Sequence, residues 1–196
     1  MDRKVLQTAK IVIALNLGYF IIQISVAALI GSVSLFADSI DFLEDASINA
    51  LILVGHKWSA DARRKLGIGL AIIILMPGIA ALLAAWQRYS NGTPPPAMPL
   101  SVTAFGALLV NGTCALLLAK HSAKGGSLTK AAFLSARNDT LANVAIIFAG
   151  VLTALLHSLW PDLIVGLGIG LLNAGAAWEV WEAAEGETDD LAARPS

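Results

Sequence analysis

Charge is scarce in this chain. Of 196 residues only 14% are Asp, Glu, Lys or Arg, the net charge is −1, and 57% are hydrophobic. A soluble domain needs a polar surface, so a mean hydropathy of +0.73 over this length excludes one and calls for a bilayer. Cysteine is nearly absent: the single Cys114 rules out a disulfide framework within the chain and a cysteine-based metal site. The three histidines, His56, His121 and His157, are far apart, and no loop gathers them into a metal-collecting cluster. No H-E-x-x-H or G-x-S-x-G run is present, and no serine has a histidine partner at comparable depth, so the chain is not read as an enzyme. A net charge of −1 gives no ground for a nucleic-acid partner.

What is present in quantity is long apolar runs. A spanning helix needs about 20 largely apolar residues, and six stretches qualify, roughly 8–30, 34–57, 66–87, 100–119, 130–157 and 162–182. The expected fold is an all-α membrane protein with six transmembrane helices in one domain, residues 1–183, followed by a short acidic tail, 184–196. The first run is too long for a signal peptide and has no A-x-A-like site before the next span, so it reads as a retained helix. Lys and Arg crowd the start (Arg3, Lys4, Lys10), the 2–3 connection (Lys57, Arg63, Arg64, Lys65) and the 4–5 connection (Lys120, Lys124, Lys130), while the opposite turns hold only Arg88. By the positive-inside rule both termini are cytoplasmic, and the multi-pass chain is assigned to the plasma membrane. Met76-Pro77-Gly78 is expected to kink helix 3, and Gly166 and Gly170 to let helix 6 pack closely inside the monomer.

The second span carries Asp38, Asp41, Glu44 and Asp45. Carboxylates at mid-bilayer cost several kcal/mol, about 2.5–3.5 each on insertion scales, and persist only if paired, protonated or bound to a cation. At 100° per residue Asp38, Asp41, Asp45 and Asn49 fall on one stripe, with Glu44 off its edge. The fifth span adds Asp139, with Ser135 one turn before and Asn143 one turn after. Counted from their opposite ends at 1.5 Å per residue, Asp45 and Asp139 each lie about 14–15 Å deep, near the midplane. Antiparallel packing would then set Asp41 level with Asp139 and Asp45 level with Ser135. The bland alternative is that these carboxylates only hydrogen-bond to polar residues of helix 4, such as Asn111 and Thr113. Glu44 and Arg137 both point away from the stripe and are candidates for an ion pair with each other. Asp38 reads equally as a station on the release path or as a hydrogen-bonded packing residue. His56 returns to the stripe angle at the cytoplasmic end.

With G-S-x-S-L-x-A-D-S opening helix 2, two polar positions four apart after it, and S-x-x-x-D in helix 5, the chain resembles the cation diffusion facilitator family of divalent-metal transporters. The resemblance implies metal ligands at Asp41, Asp45 and Asp139, with Ser135 at the fourth position, where that family usually has histidine; Asp38, Asn49 and Asn143 are weaker candidates. It further implies a homodimer, and efflux of metal from the cytoplasm in exchange for protons by alternating access. Members usually end in a cytoplasmic metal-sensing domain, and this chain reads as a short form without one.

Three carboxylates with a hydroxyl make a hard oxygen site, which suits Mn²⁺ or Fe²⁺ as well as Zn²⁺, Cd²⁺ or Co²⁺. Zinc is the first expectation, with no cofactor beyond the transported ion. The alternatives are a manganese or iron exporter and a carrier of protons or monovalent cations. Adjacent buried carboxylates cannot all ionise, so without a cation at least one holds a proton, and metal binding would expel it.

Overall fold

The computed structural model describes residues 3–54, 79–122 and 126–173, all of them in helices or short links. The helices are α1 (Arg3–Ile30), α2 (Val33–Val54), α3 (79–91), α4 (Ala97–Ser122), α5 (Gly126–Leu156) and α6 (Trp160–Asn173). The inner part of the third expected span with its Met76-Pro77-Gly78 kink, His56, the basic 2–3 connection, Lys124, the end of the sixth span and the acidic tail lie outside the described residues.

Helices α1, α4 and α5 are long and apolar enough to cross a membrane by length and composition. The 22-residue α2 matches them in hydrophobic stretch but carries the four carboxylates. Both α1 and α4 reach past the apolar runs that mark them in the sequence, since a helix continues into polar residues beyond the hydrocarbon edge.

Four helices close a ring: α1 packs on α2, α2 on α5, α5 on α4, and α4 on α1. The usual distribution is inverted. Leu29, Leu116, Leu141, Phe148, Leu155 and Leu172 face outward, whereas Asn16, Gln23, Asp38, Asp45, Asn49 and Asn143 are fully buried. In lipid there is no hydrophobic drive between helices, so the interior is where polar groups must go. On the N-terminal half of α2, Ala81 of α3 and Ile169 of α6 join Leu35, Ala37, Leu100 and Ile146 in one cluster.

The link from α1 to α2 is only two residues long. Gly31 adopts φ 61°, and the Ser32 N–H donates back to Ala27 O at 3.2 Å, a Schellman closure that needs glycine at this position. Arg88 Nε donates to Gly31 O at 2.7 Å, fastening α3 to the turn.

The start of α2 is capped from another helix. Ser32 Oγ accepts the Leu35 N–H at 3.2 Å, while the buried Asp162 of α6 accepts the N–H groups of Val33 (2.8 Å) and Ser34 (3.2 Å). The Ser32 and Ser34 hydroxyls also donate to Asp162, at 2.7 and 2.5 Å. One carboxylate thus meets the orphan donors of the first turn and sits at the positive end of the helix dipole. Gly166, one turn on, lets the backbones touch: a Cβ there would lie 2.6 Å from Ser34 N. This is the close packing inside the monomer expected of the helix 6 glycines, though Gly170 has open space around its Cβ direction.

Asp162→Ala would strand two buried N–H groups, and it is expected to destabilise the fold by about 2–4 kcal/mol. Asp162→Asn should cost less, because an amide oxygen still accepts. Thermal unfolding in detergent reads both, and an unchanged midpoint for Asp162→Ala would show that the cap does not hold α2.

Candidate cation site

Asp38, Asp41 and Asp45 are buried on the inner face of α2, at 0%, 5% and 0% exposure. Asp139 reaches the same interior from α5, with its Oδ2 fully enclosed. Asp45, Asp38 and Glu44 lie within electrostatic reach of Asp139, Asp45 acting on it most, and Asp139 in turn lies within reach of Asp41. Ser135 stands beside Asp45 without closing a hydrogen bond, since both Asp45 oxygens are unpartnered within the protein. Among the described residues no three His, Cys, Asp or Glu side chains converge closely enough to form a finished metal shell. The arrangement is a set of buried carboxylates within electrostatic reach of one another, held by helices that pack together.

Helix 4 does not satisfy these carboxylates. Neither amide atom of the buried Asn111 has a hydrogen-bond partner, and Thr113 turns outward and donates to Leu109 O at 2.7 Å. Arg137 is exposed and donates to Asn138 Oδ1 at 3.3 Å, so the ion pair with Glu44 is not made. The reason is angular: Arg137 faces away from the ring while Glu44 is half-buried in it.

Asp38 does have a partner, which the sequence reading missed. Gln23 of α1 is fully buried and donates through Nε2 to Asp38 Oδ2 at 2.5 Å and to Leu35 O at 3.4 Å. Gln23 Oε1 and Asp38 Oδ1 remain buried without partners. Asn49 and Asn143 donate through Nδ2 to Asp45 O and Asp139 O, each at 2.8 Å. Asn16 on α1 was also missed; it is fully buried and lies against Cys114 Sγ at 3.8 Å. The signal available for both was spacing, since Asn16 and Gln23 are seven residues apart and so share a helix face.

A ring of four helices with acidic and amide groups turned inward and leucine turned outward defines a membrane protein that handles cations inside the bilayer. Residues 9–184 match the cation efflux transmembrane domain, and the chain belongs to the cation diffusion facilitator family. It is an integral multi-pass membrane protein that transports divalent cations outward, and not an enzyme. No curated protein gives a significant sequence match.

Among the described residues, Gln23 is the one hydrogen-bond donor to the fully buried Asp38 carboxylate. Gln23→Leu is expected to destabilise the protein by about 1–3 kcal/mol. A double-mutant cycle with Asp38→Leu should give a coupling energy of about 1 kcal/mol or more. Unfolding midpoints of the three variants measure it, and additivity would mean that the contact is energetically inert.

Proposed function

We propose that the chain exports a divalent metal, zinc first, by exchanging it for protons at a mid-membrane site formed by Asp41, Asp45, Asp139 and Ser135. The observation that carries this reading is the buried, unpartnered carboxylate of Asp45 facing Ser135 and Asp139 of α5. A carboxylate in that setting needs a cation or a proton, and the two compete for it. A cation arriving between α2 and α5 supplies the charge that draws the level carboxylates into a shell, and the protons it displaces leave toward the side from which it came. Return of protons from the other side then expels the metal. This is metal/proton exchange by alternating access.

In the full reading six helices span the plasma membrane with both termini in the cytoplasm, and two copies pair as the family resemblance implies. Asp38, Asn49 and Asn143 extend the oxygen-lined path on either side of the site. Manganese or iron is the second reading, favoured by one feature: Ser135 gives oxygen where zinc-selective members give nitrogen, and an all-oxygen set suits harder cations.

Asp45→Asn and Asp41→Asn are expected to cut divalent-metal flux by about 100-fold or more while the protein remains inserted, consistent with the loss of a charged ligand. Uptake into proteoliposomes under an imposed pH gradient, with zinc, cadmium and manganese in turn, is the measurement. Wild-type rates for either variant with all three metals would end the assignment.

Ser135→His would place an imidazole one turn from Asp139 and beside Asp45, moving the set toward the mixed N/O ligation that Zn²⁺ favours. The zinc-to-manganese ratio in paired competition uptake should rise, while Ser135→Ala should change flux little because water can replace a hydroxyl. An active Ser135→His protein with an unchanged ratio would mean that Ser135 does not face the metal.

A further inference from the structure

Three asparagines in the ring share one side-chain geometry. Asn16 Nδ2 donates to Val12 O at 3.0 Å, Asn49 Nδ2 to Asp45 O and Asn143 Nδ2 to Asp139 O at 2.8 Å, each to the carbonyl four residues back on its own helix. A carbonyl oxygen can only accept, so the bonded end of each amide is its NH₂ and the free end is its oxygen. All three residues are at 0% exposure, and none of the three Oδ1 atoms has a hydrogen-bond partner. A buried acceptor left open is costly, which makes three with the same orientation a feature to be explained.

Asn49 and Asn143 are one turn from Asp45 and Asp139. Asn16 is different, because it stands on α1, a helix to which neither the carboxylate stripe nor the family resemblance gives a ligand. Its level follows from the register of the antiparallel pair. Gln23 of α1 bonds Asp38 of α2. Seven residues back along α1 and seven forward along α2, close to two turns each, bring Asn16 level with Asp45 on the same two faces. A separate contact agrees: Asn16 Nδ2 touches Cys114 Sγ of α4 at 3.8 Å, and Cys114 is within electrostatic reach of Asp45 and Asp139.

We propose that Asn16 supplies its carbonyl oxygen to the cation at Asp41, Asp45 and Asp139, and that this neutral donor from α1 determines which divalent cation the site accepts. The inference rests on the carboxylate reading given above. Zn²⁺ completes its shell with four ligands, and three carboxylates with Ser135 already provide four. Mn²⁺ prefers six oxygens in octahedral array. Asn16 Oδ1 supplies a fifth, leaving one for Asn49, Asn143 or water. A neutral oxygen raises the coordination number without adding a fourth negative charge to a buried cluster. Its NH₂ is tied to Val12 O and Cys114, so the oxygen is the end presented.

The test is paired competition uptake of Zn²⁺ and Mn²⁺ by the full chain in proteoliposomes, comparing wild type with Asn16→Leu, Asn16→Ser, Asn16→Asp and Asp45→Asn. Asn16→Leu should reduce manganese uptake more than zinc uptake and lower the manganese-to-zinc ratio by about fivefold or more, because Mn²⁺ depends more on a full oxygen shell. Asn16→Ser, whose hydroxyl stops one atom short, should shift the ratio the same way and serves if the leucine variant fails to insert. Asn16→Asp keeps an oxygen in place while adding the charge that the amide avoids, so its manganese-to-zinc ratio should stay nearer the wild-type value than that of Asn16→Leu. An unchanged ratio in the leucine and serine variants, or an equal loss of both metals, overturns the role of Asn16. If Asp45→Asn is inactive in the same assay, the carboxylate site survives that result. If Asp45→Asn transports at the wild-type rate, the carboxylate reading falls first and this inference falls with it.

Discussion

A carboxylate inside a bilayer has to be enclosed, and the rest of this structure follows from enclosing those of α2. Hydrocarbon offers neither hydrogen bonds nor counter-ions, so each charged or polar group must be met by protein or by a transported ion. The ring of α1, α2, α5 and α4 achieves this by turning amides, hydroxyls and acids inward and leaving leucines such as Leu29, Leu116 and Leu155 to the lipid. Weak amphipathicity, normally a sign of a poor helix pattern, is here the consequence of lipid on one side and a narrow polar seam on the other.

The seam is aligned from the N-terminal end of α2. Asp162 binds the first turn of α2 through both backbone and hydroxyl donors, Gly166 lets α6 touch the Val33–Ser34 backbone, and Arg88 holds the α1–α2 turn by the Gly31 carbonyl. A helix fixed at one end in depth and rotation carries its side chains at fixed heights, 1.5 Å per residue. The heights of Asp38, Asp41 and Asp45 are therefore set by contacts at the first turn of α2, about two turns or more from the carboxylates at Asp41 and Asp45 themselves. Gln23 fixes the partner register across α1, so α1 cannot slide along α2 without breaking a buried bond.

Much of this could be read from the sequence, because charge in an apolar run stands out. The α2 stripe, Asp139 and the six apolar runs were visible, and the family match over residues 9–184 agrees with the motif at the start of α2. What escaped were single polar residues whose meaning is interhelical. Asp162 sat in a turn notable only for lacking Lys and Arg, yet its carboxylate caps a helix 128 or more residues away in sequence. Gln23 and Asn16 looked like isolated amides in a long apolar run, and only the seven-residue interval hinted that they share the face turned toward α2. The proposed Arg137–Glu44 pair failed for the opposite reason, since charge complementarity says nothing of which way each helix is rotated in the ring.

A transport site also has to remain incomplete. If every lone pair on Asp38, Asp45, Asn49 and Asn143 were met by a protein donor, an incoming cation would have to break those bonds to exchange water for ligands; if none were met, the buried groups would cost more than a marginally stable fold tolerates. The ring resolves this by dividing each amide. The NH₂ groups of Asn16, Asn49 and Asn143 bond to their own helices, which fixes the rotamers, and the oxygens stay open. Back-bonding of this kind costs little because it uses a carbonyl already in the helix. In the proposed site it gives preorganised oxygens that need no rearrangement to meet a cation and form no competing bond that would trap one, so the same geometry would favour both binding and release.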